Sequence, residues 1–310
     1  MLAISSDYNG ESKNAGVIKG TLARIAGSRF SHVHWGHEWS GDYSYSIYEM
    51  LQIKEWLREL GLKVKGIHAS DGTRRSDPAM YRYLWTEQNT RSYTEENEYN
   101  RLAGVELIKN RIDLAHELET REVVLHMQLP YKSFEGDSRY KARYYAQACR
   151  SFDELEPYCR ARHVRICVEN LMGTPREHQL YQFKLLFERY DRDFLGLCFD
   201  TGHANVVWPD SLELARLYTG RIFIVHIHDN HGLRSPECWE DDLKMSACDE
   251  HLLPFEGTFD WEGFAGILAA SPYEPPYLLE SQMRGGDEGE YLSRAVKAGE
   301  AFAALAAKYC

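Results

Sequence analysis

The stretch LCFDTGHAN, Leu197 to Asn205, places an acid and an imidazole three residues apart, directly after an apolar run. The apolar run follows a segment with helical periodicity and ends at Thr-Gly, which predicts a strand that leads into a loop. In α/β proteins, chemistry is concentrated on the short loops that follow strands. We therefore expect Asp200 and His203 to lie in a loop at the end of a strand, where they are candidates for a functional site.

Strand-like apolar runs alternate with segments of helical periodicity along the whole chain. Strands are predicted at 2–6, 32–35, 63–68, 122–127, 165–170, 195–200, 223–229 and 277–281. Helices are predicted at 14–26, 47–60, 99–119, 140–161, 179–190, 211–218, 261–270 and 291–307. Strict alternation predicts a single α/β domain over 1–310, a (β/α)8 TIM barrel. A doubly wound open sheet is the alternative, but no glycine-rich phosphate loop follows the first strand.

Two long connections account for the length beyond a minimal barrel. They follow strands 3 and 7 and cover residues 69–98 and 230–260. The first carries several aromatic residues and arginines without a long apolar period. Loops this long inside a compact domain are usually functional or disordered, and the aromatic content favours an ordered lid.

The charge of the chain limits its partners. Its 310 residues include 47 Asp and Glu against 36 Lys and Arg, a formal net charge of −11. Binding to a polyanion depends on clustered Lys and Arg, so we expect no nucleic-acid partner. A small neutral or mildly charged substrate fits this composition better.

The cysteines and the first residues indicate the compartment. Seven cysteines, odd in number and without a C-x-x-C pair, are expected to be reduced thiols. The chain begins MLAISSDYNG, without a charged leader, a long apolar run or a cleavage-site pattern. We therefore expect no secretion, no membrane partner and a cytoplasmic location. Whether the chain forms a homo-oligomer is left open.

Metal-competent side chains end six of the predicted strands: His68, His126, Glu169, Asp200, His226 and Glu280. Two residues earlier, on the same face of each strand, lie Gly66, Val124, Cys167, Cys198, Ile224 and Leu278. These are small or apolar, as a packed barrel interior requires. Each polar residue alone has a plainer explanation, such as a hydrogen-bonded core histidine or a capping acid. Together they predict a buried polar ring over an apolar floor, where a divalent metal compensates the ionisable groups.

The motifs GIHAS, VLHMQ, CVEN, FDTGHAN, VHIHDN, DEHLLPFEGTFDW and LLES resemble those of the xylose isomerase-like TIM barrel superfamily. This superfamily contains sugar isomerases and epimerases together with apurinic-site nucleases of the endonuclease IV class. In the sugar branch, the resemblance implies one divalent metal held by Glu169, Asp200, His226 and Glu280, with His203 touching the substrate. In the nuclease branch, it implies a zinc cluster that also uses His68, His126, His203, Asp249 and His251.

Three features favour the sugar branch. The nucleases follow the strand-three histidine with a wedge that enters DNA, whereas residues 69–73 read Ala-Ser-Asp-Gly-Thr. The acidic net charge opposes a DNA groove. The stretch D-E-H-x-x-P-x-x-G-x-x-D-W, often found in the sugar branch, is present at 249–261. One departure is Phe255, where the family usually has glycine, and it puts the loop shape and the admitted substrate size in doubt.

Several further positions are candidates with open alternatives. His228 shares a face with His226, and some epimerases take their ligand from the second histidine of such a pair; His226 is preferred because H-I-H-D matches the commoner H-x-x-D. Aromatic rings at the end of strand two, His34, Trp35, His37 and Trp39, either stack on a sugar or pack the barrel edge. Arg284 and Arg176 either grip an anion or are solvated. The candidate substrate-binding residues are thus His203, His68, His126, His228, His251, Asp249, Trp35, His37 and Arg284.

The sequence predicts a metal-dependent sugar isomerase or epimerase whose partner is a small-molecule sugar. Mixed carboxylate and imidazole ligands favour Mn²⁺ or Zn²⁺, with Co²⁺ or Mg²⁺ as alternatives. Glu169 and Glu280 are expected to act as base and acid through an enediolate, while Asp200 and His226 anchor the metal. The alternatives are a nuclease-type phosphodiesterase, a lyase or hydratase of an oxidised glycoside, and a hydride shift instead of proton transfer.

Overall fold

The computed structural model describes residues 1–39, 41–70, 72 and 91–309. The described strands are β1 Leu2–Ser5, β2 His32–Trp35, β3 Lys63–His68, β4 Glu122–Leu125, β5 Arg165–Glu169, β6 Leu195–Asp200, β7 Ile222–His226 and β8 Tyr277–Leu279. The helices are α1 Ala15–Ala26, α2 Ile47–Leu60, α3 Glu98–Glu117, α4 Tyr131–Gly136, α5 Ser138–Arg162, α6 Arg176–Arg189, α7 Thr201–Val207, α8 Glu213–Leu217, α9 Asp242–Ser246, α10 Trp261–Ala269 and α11 Glu288–Ala306. The predicted (β/α)8 TIM barrel is confirmed.

The strands form one parallel sheet in the order β7-β6-β5-β4-β3-β2-β1-β8. The edges β7 and β8 meet through Ile227, the residue that follows β7. Its amide donates to the Leu278 carbonyl at 3.0 Å, and its carbonyl accepts from the Glu280 amide at 3.0 Å. We call this contact the closing seam, because it turns the sheet into a nearly closed barrel.

The inside of the barrel has its own small apolar core, separate from the main one. It consists of Ala3, Val124, Cys167, Cys198, Phe223, Ile224 and Leu278. Five of the six predicted floor positions belong to this cluster. The sixth, Gly66, has φ +100°, and a Cβ there would lie 2.5 Å from Cδ1 of Ile224. The predicted apolar floor is therefore present, and its tight packing explains why position 66 is a glycine.

The helices cover the outside of the sheet with their apolar faces. Helix α2 begins at a capping box, in which the Ser46 hydroxyl and the Glu49 carboxylate accept each other's backbone N–H. It ends at Gly61, whose φ of 68° provides the left-handed C-cap. Its buried side chains recur at helical spacing: Met50, Ile53 and Leu57. This face packs into the main core between sheet and helices.

The structure corrects several predicted boundaries. The expected loop after Asp200 is wrong, because α7 begins at Thr201. The reason is that Asp200 caps this helix, with its Oδ1 accepting the His203 N–H at 2.6 Å. The fourth and seventh strands end at Leu125 and His226, before the predicted ends. Helix α4 was not predicted.

The two long connections are described to different extents. The connection after β7 contains a 3₁₀ turn at Pro236–Glu240 and the short helix α9. Most of the connection after β3, where the sequence predicts an aromatic lid, lies outside the described residues. So do Asp71 and Thr73 of the segment that follows His68.

Two further expectations concern the whole chain. Among the described residues, no helix combines the length and the apolar content needed to cross a bilayer. The six cysteines within the described ranges are free thiols, and Cys310 lies outside those ranges.

Candidate active site and metal centre

A cavity of about 380 Å³ opens at the carboxyl ends of the strands. Most of its lining residues are polar, and Leu129, Leu171 and Met172 on the connections after β4 and β5 add apolar surface. The lining residues are Ser5, Asp7, Tyr8, Gly36, Trp39, His68, His126, Gln128, Leu129, Glu169, Leu171, Met172, Gly173, Thr174, His203, Asp249, His251, Glu280, Ser281 and Gln282. This is the position at which TIM-barrel enzymes carry their active sites.

Glu169, the last residue of β5, lies at the centre of the polar wall. Its Oε2 is 3.2 Å from Nε2 of His126, and its Oε1 is 3.2 Å from Nδ1 of His203 and 3.3 Å from Nδ1 of His226. Burial alone would raise the pKa of Glu169, but the imidazoles, with His226 first, hold this pKa well below its ordinary value. Glu169 is therefore an ionised carboxylate in a fully buried position.

Asp200, the last residue of β6, uses its two oxygens differently. Oδ1 caps α7 through the His203 N–H, so the D-x-x-H spacing is that of an N-cap and its third helical residue. Oδ2 lies 2.9 Å from Nε2 of His228. The register of β6 against β7 places Asp200 beside His226, which brings both residues to the same side of the barrel mouth.

A second polar group lies beside Asp200 on the connection after β7. Oδ2 of Asp249 is 2.8 Å from Nε2 of His251, and the His251 ring stacks on His228 at a centroid distance of 4.0 Å. Burial lowers the pKa of His251, but the Asp249 carboxylate outweighs burial and raises this pKa to about 9. The predicted polar residues form one connected network, although they come from the ends of six strands, from helix α7 and from the connection after β7. They are His68, His126, Glu169, Asp200, His203, His226, His228, Asp249, His251 and Glu280.

Three of the histidines are oriented by backbone carbonyls. Nδ1 of His68 donates to Ala69, Nδ1 of His203 to Asn170 and Nδ1 of His251 to Glu280, at 3.0, 2.9 and 2.7 Å. Because a carbonyl can only accept, Nδ1 carries a hydrogen in each ring, and Nε2 points to another side chain of the network, namely His126 for His68 and Asp249 for His203 and His251. Fixing the tautomer through the outer nitrogen is how proteins prepare imidazoles for metal binding.

The predicted four-ligand set converges on one atom. Nδ1 of His226 lies 3.0 Å from Glu280, 3.3 Å from Glu169 and 3.8 Å from Asp200. His226 is fully buried, and neither ring nitrogen has a hydrogen-bond partner among the described residues. Burial lowers the pKa of His226, but Cys198 and the carboxylates of Glu280 and Glu169 hold it well above its ordinary value. The carboxylates therefore require positive charge here, and the donor set fits a divalent cation.

The geometry also separates His226 from His228. His226 lies among three carboxylates, whereas His228 uses Nε2 for Asp200 and has its Nδ1 3.7 Å from Asp249. His228 therefore orients Asp200 through Oδ2, the oxygen that does not cap α7. A Cβ on Gly202 would lie 2.0 Å from the His228 ring, so this close approach requires glycine. The three carboxylates around His226 support the preference for His226, and its role as a ligand stays a prediction.

The structure corrects the prediction for Trp35 and His37, which do not line the cavity. His34 faces the barrel axis, with its ring 5.0 Å from His226, so Trp35 points to the other side of β2. Trp35 is buried there, with its indole N–H donating to the Tyr45 hydroxyl at 3.0 Å, and His37 packs edge-on against it. Neither lines the cavity. Trp39 does, with its ring 5.2 Å from His68 and 5.3 Å from His126.

The arginine candidates are also placed outside the cavity. Arg284 is exposed and donates to the Glu250 carbonyl at 2.5 Å. Arg176 pairs with Glu213 through two guanidinium nitrogens. Both cations thus have partners in the surrounding loops and helices.

Sequence reasoning missed the turn after β1. Ser5 and Asp7 line the cavity. The sequence pattern of polar strand ends covers only strands three to eight and therefore does not include them. A carboxylate two residues beyond a strand end was the available signal, because side chains at that distance still reach the barrel mouth.

Phe255 keeps the loop conformation that a glycine would provide. Its φ is 74°, in the left-handed region, and its ring packs on Trp261 at 5.5 Å. The Asp229 carboxylate holds this loop by accepting from the backbone N–H of Phe255, Gly257 and Phe259 and from the Trp261 indole, at 2.9–3.2 Å. Phe255 does not line the cavity. The departure therefore adds no side chain to the cavity wall.

Comparisons with known proteins agree with the fold. The sequence model of the xylose isomerase-like TIM barrel family matches residues 23–306. The uncharacterised protein y4fM of Sinorhizobium fredii is 31% identical over 271 residues, which cover 86% of this chain and 81% of that protein. Inosose dehydratase of Clostridium botulinum is 22% identical over 187 residues, which cover 57% of this chain and 62% of that enzyme.

Solved structures extend the same comparison to nearly the whole chain. A D-tagatose 3-epimerase-like protein superposes with a TM-score of 0.68 at 19% identity, covering 99% of this chain and 97% of its own. L-ribulose 3-epimerase superposes with a TM-score of 0.67 at 15% identity, covering 99% and 95%. At these identities the likeness establishes a shared fold.

Proposed function

The chain belongs to the xylose isomerase-like TIM barrel family, and from this premise we propose that it is a divalent-metal-dependent sugar isomerase or epimerase. The observation that carries the proposal is the convergence of Glu169, Asp200 and Glu280 on Nδ1 of His226, at the wall of a cavity large enough for a small sugar. The structural neighbours named above, an epimerase and an epimerase-like protein, support the same reaction class.

Glu169, Asp200, His226 and Glu280 would hold the metal. When bound, such an ion supplies Lewis-acid polarisation of a carbonyl and its neighbouring hydroxyl. The acid–base work falls to Glu169 and Glu280, which both line the cavity. One carboxylate removes the proton next to the sugar carbonyl; the other glutamate first takes a proton from solvent and then donates it to the resulting enediolate.

The surrounding side chains prepare this pair. His226 and the other imidazoles keep Glu169 and Glu280 ionised, because they lower both pKa values against the effect of burial. Nε2 of His126 contacts Oε2 of Glu169 and also lies 3.1 Å from Nε2 of His68, so two imidazoles hold this side of the carboxylate. Trp39 lines the cavity beside these two histidines, where an aromatic ring can pack on a sugar.

A substrate screen tests the proposal. Protein loaded with Mn²⁺, Zn²⁺ or Co²⁺ is incubated with free ketoses, sugar phosphates and keto-glycosides, and the products are followed by NMR. We expect isomerisation or epimerisation next to a carbonyl for at least one class. Glu280→Gln serves as the background control. Cleavage, dehydration or no reaction across the panel would contradict the proposal.

One observation favours a second candidate, a nuclease-type phosphodiesterase with several cations. Three further donor groups have ligand atoms within 4.8 Å of one another: His68 with His126 and Glu169, Asp200 with His203 and His228, and His228 with Asp249 and His251. The fixed tautomers of His68, His203 and His251 would suit additional ions. The net charge of −11 disfavours DNA. A lyase or hydratase is supported only by the distant inosose dehydratase relative.

A further inference from the structure

The turn after β1 places the carboxyl group of Asp7 at the cavity. Asp7 belongs neither to the proposed acid–base pair nor to the four proposed metal ligands. Asp7 lines the cavity together with Ser5 and Gly36. Burial raises the pKa of Asp7 to about 6; Glu280 adds to this rise, and the hydrogen bond from Ser5 opposes it. A carboxyl group kept in such a position costs stability, and side chains of this kind are concentrated at functional sites.

The turn is shaped to hold this carboxyl group in place. The Ser5 hydroxyl donates to Oδ1 of Asp7. A Cβ on Gly36 would lie 2.5 Å from Oδ1 and 3.0 Å from Oδ2, so residue 36 must be glycine for Asp7 to adopt this position. The Gly36 N–H donates to the Ser6 hydroxyl at 3.1 Å and ties the turn to the end of β2. The carboxyl group is therefore oriented by its surroundings.

Asp7 retains free hydrogen-bonding capacity toward the cavity. Within the described part of the chain, the Ser5 hydroxyl donates the one hydrogen bond that Asp7 receives from another side chain, and the backbone N–H of Asp7 also acts on its carboxyl group. A carboxylate has about four acceptor sites on its two oxygens. Hydroxyl groups of a ligand are the donors that can use the remaining sites.

We propose that Asp7 binds a hydroxyl group of the substrate and thereby selects a neutral, unphosphorylated sugar. This inference rests on the proposed function. A sugar hydroxyl donates to the carboxylate, whereas a phosphate would be repelled by the negative charge of Asp7 at the cavity wall. None of the described lining residues is a lysine or an arginine that would pair with a phosphate.

Calorimetric titration of the metal-loaded protein tests this assignment. The probes are D-fructose, D-tagatose and their 6-phosphates, and the variants are Asp7→Asn, Gly36→Ala and the control Asp42→Asn, which removes an exposed carboxylate. We expect a free ketose to bind at least about tenfold more tightly than its 6-phosphate. Asp7→Asn should weaken ketose binding about tenfold, a loss typical of one charged hydrogen bond. Its metal content should equal that of the wild type.

Gly36→Ala tests whether the position of the Asp7 carboxyl group matters, in addition to its presence. This variant retains the Asp7 carboxyl group but displaces it, so it should lose ketose affinity as Asp7→Asn does, while Asp42→Asn binds like the wild type. Unchanged ketose affinity in both Asp7→Asn and Gly36→Ala, with an active wild type, would overturn the role of Asp7 and leave the proposed function intact. Tighter binding of a 6-phosphate would overturn the substrate class. A wild type that neither binds nor converts these sugars would overturn the proposed function for them and the Asp7 assignment with it.

Discussion

His226 and Glu280 meet across the closing seam of the barrel, with Nδ1 of the imidazole 3.0 Å from Oε2 of the carboxylate. His226 precedes Ile227 in the sequence, and the Glu280 amide donates to the Ile227 carbonyl, which joins β7 to β8. Glu169 and Asp200 approach the same nitrogen from β5 and β6. Four strands thus deliver one donor group each to a single point, and this arrangement leads to the first prediction.

We expect the purified protein to hold about one divalent ion per chain, with mixed oxygen and nitrogen ligands. Asp200→Asn or His226→Ala should lose the ion, because each removes a ligand from the convergence point. Elemental analysis after gel filtration measures this content, with His116→Ala as the control for an exposed imidazole. A fully active protein without metal would end the metal hypothesis. A content of about three ions would favour the nuclease-type cluster.

The second prediction concerns the acid–base pair. Glu169→Gln or Glu280→Gln keeps the side-chain size and a possible ligand oxygen but removes the base. The turnover rate should fall roughly a hundredfold or more, as expected for lost general base catalysis. Turnover of the wild type in D₂O should place deuterium at the carbon next to the carbonyl, because the proton exchanges with solvent. Product without deuterium, together with active glutamine variants, would show that the two-glutamate mechanism is wrong and favour a hydride shift.

The third prediction separates the two branches of the family. At physiological salt, the protein should neither retain nor nick duplex DNA that contains an abasic site, because the chain carries a net charge of −11. Gel assays of binding and cleavage measure this directly. Efficient nicking that Glu280→Gln abolishes would reverse the ranking of the two functions.

The fourth prediction uses the pH dependence of stability. The pKa of Asp7 is raised from 3.8 to about 6 in the folded protein, so the folded state holds this proton more tightly than the unfolded state. The proton's contribution to stability is present below pH 3.8 and is lost as the pH rises through about 6. Asp7→Asn carries no such charge. Its melting temperature should exceed that of the wild type at pH 8, and the difference should shrink toward pH 4; an equal difference at both pH values would contradict the shift.

The barrel could be predicted from the sequence because its signals are local. Apolar runs such as LGLCFD alternate with helical periodicity, and the period of two along each strand also predicts the floor residues below the site. The polar strand ends follow from the same rule, since the carboxyl ends of parallel strands share one edge. The family motifs then supply the ligand set that the structure brings together around His226.

The misplaced residues depend on information that the strand pattern does not contain. Trp35 and His34 are neighbours in sequence, and only the inward position of His34 decides that Trp35 faces the helices. Arg284 pairs with the Glu250 carbonyl, a contact between two loops that no spacing rule predicts. Asp7 lies two residues beyond the end of β1, and the pattern of polar strand ends does not extend to that position.

The closing seam couples folding to occupancy of the site. Because Ile227 is flanked by His226 and joins the strand that leads to Glu280, any local opening of the barrel between β7 and β8 would also separate two of the proposed ligands. An ion bound to both His226 and Glu280 would hold β7 and β8 together, and its binding free energy would add to the free energy of local opening between these strands. The amide hydrogens of Ile227 and Glu280 should therefore exchange with solvent more slowly in the loaded protein than in the empty one, so that two backbone positions report whether the site is filled.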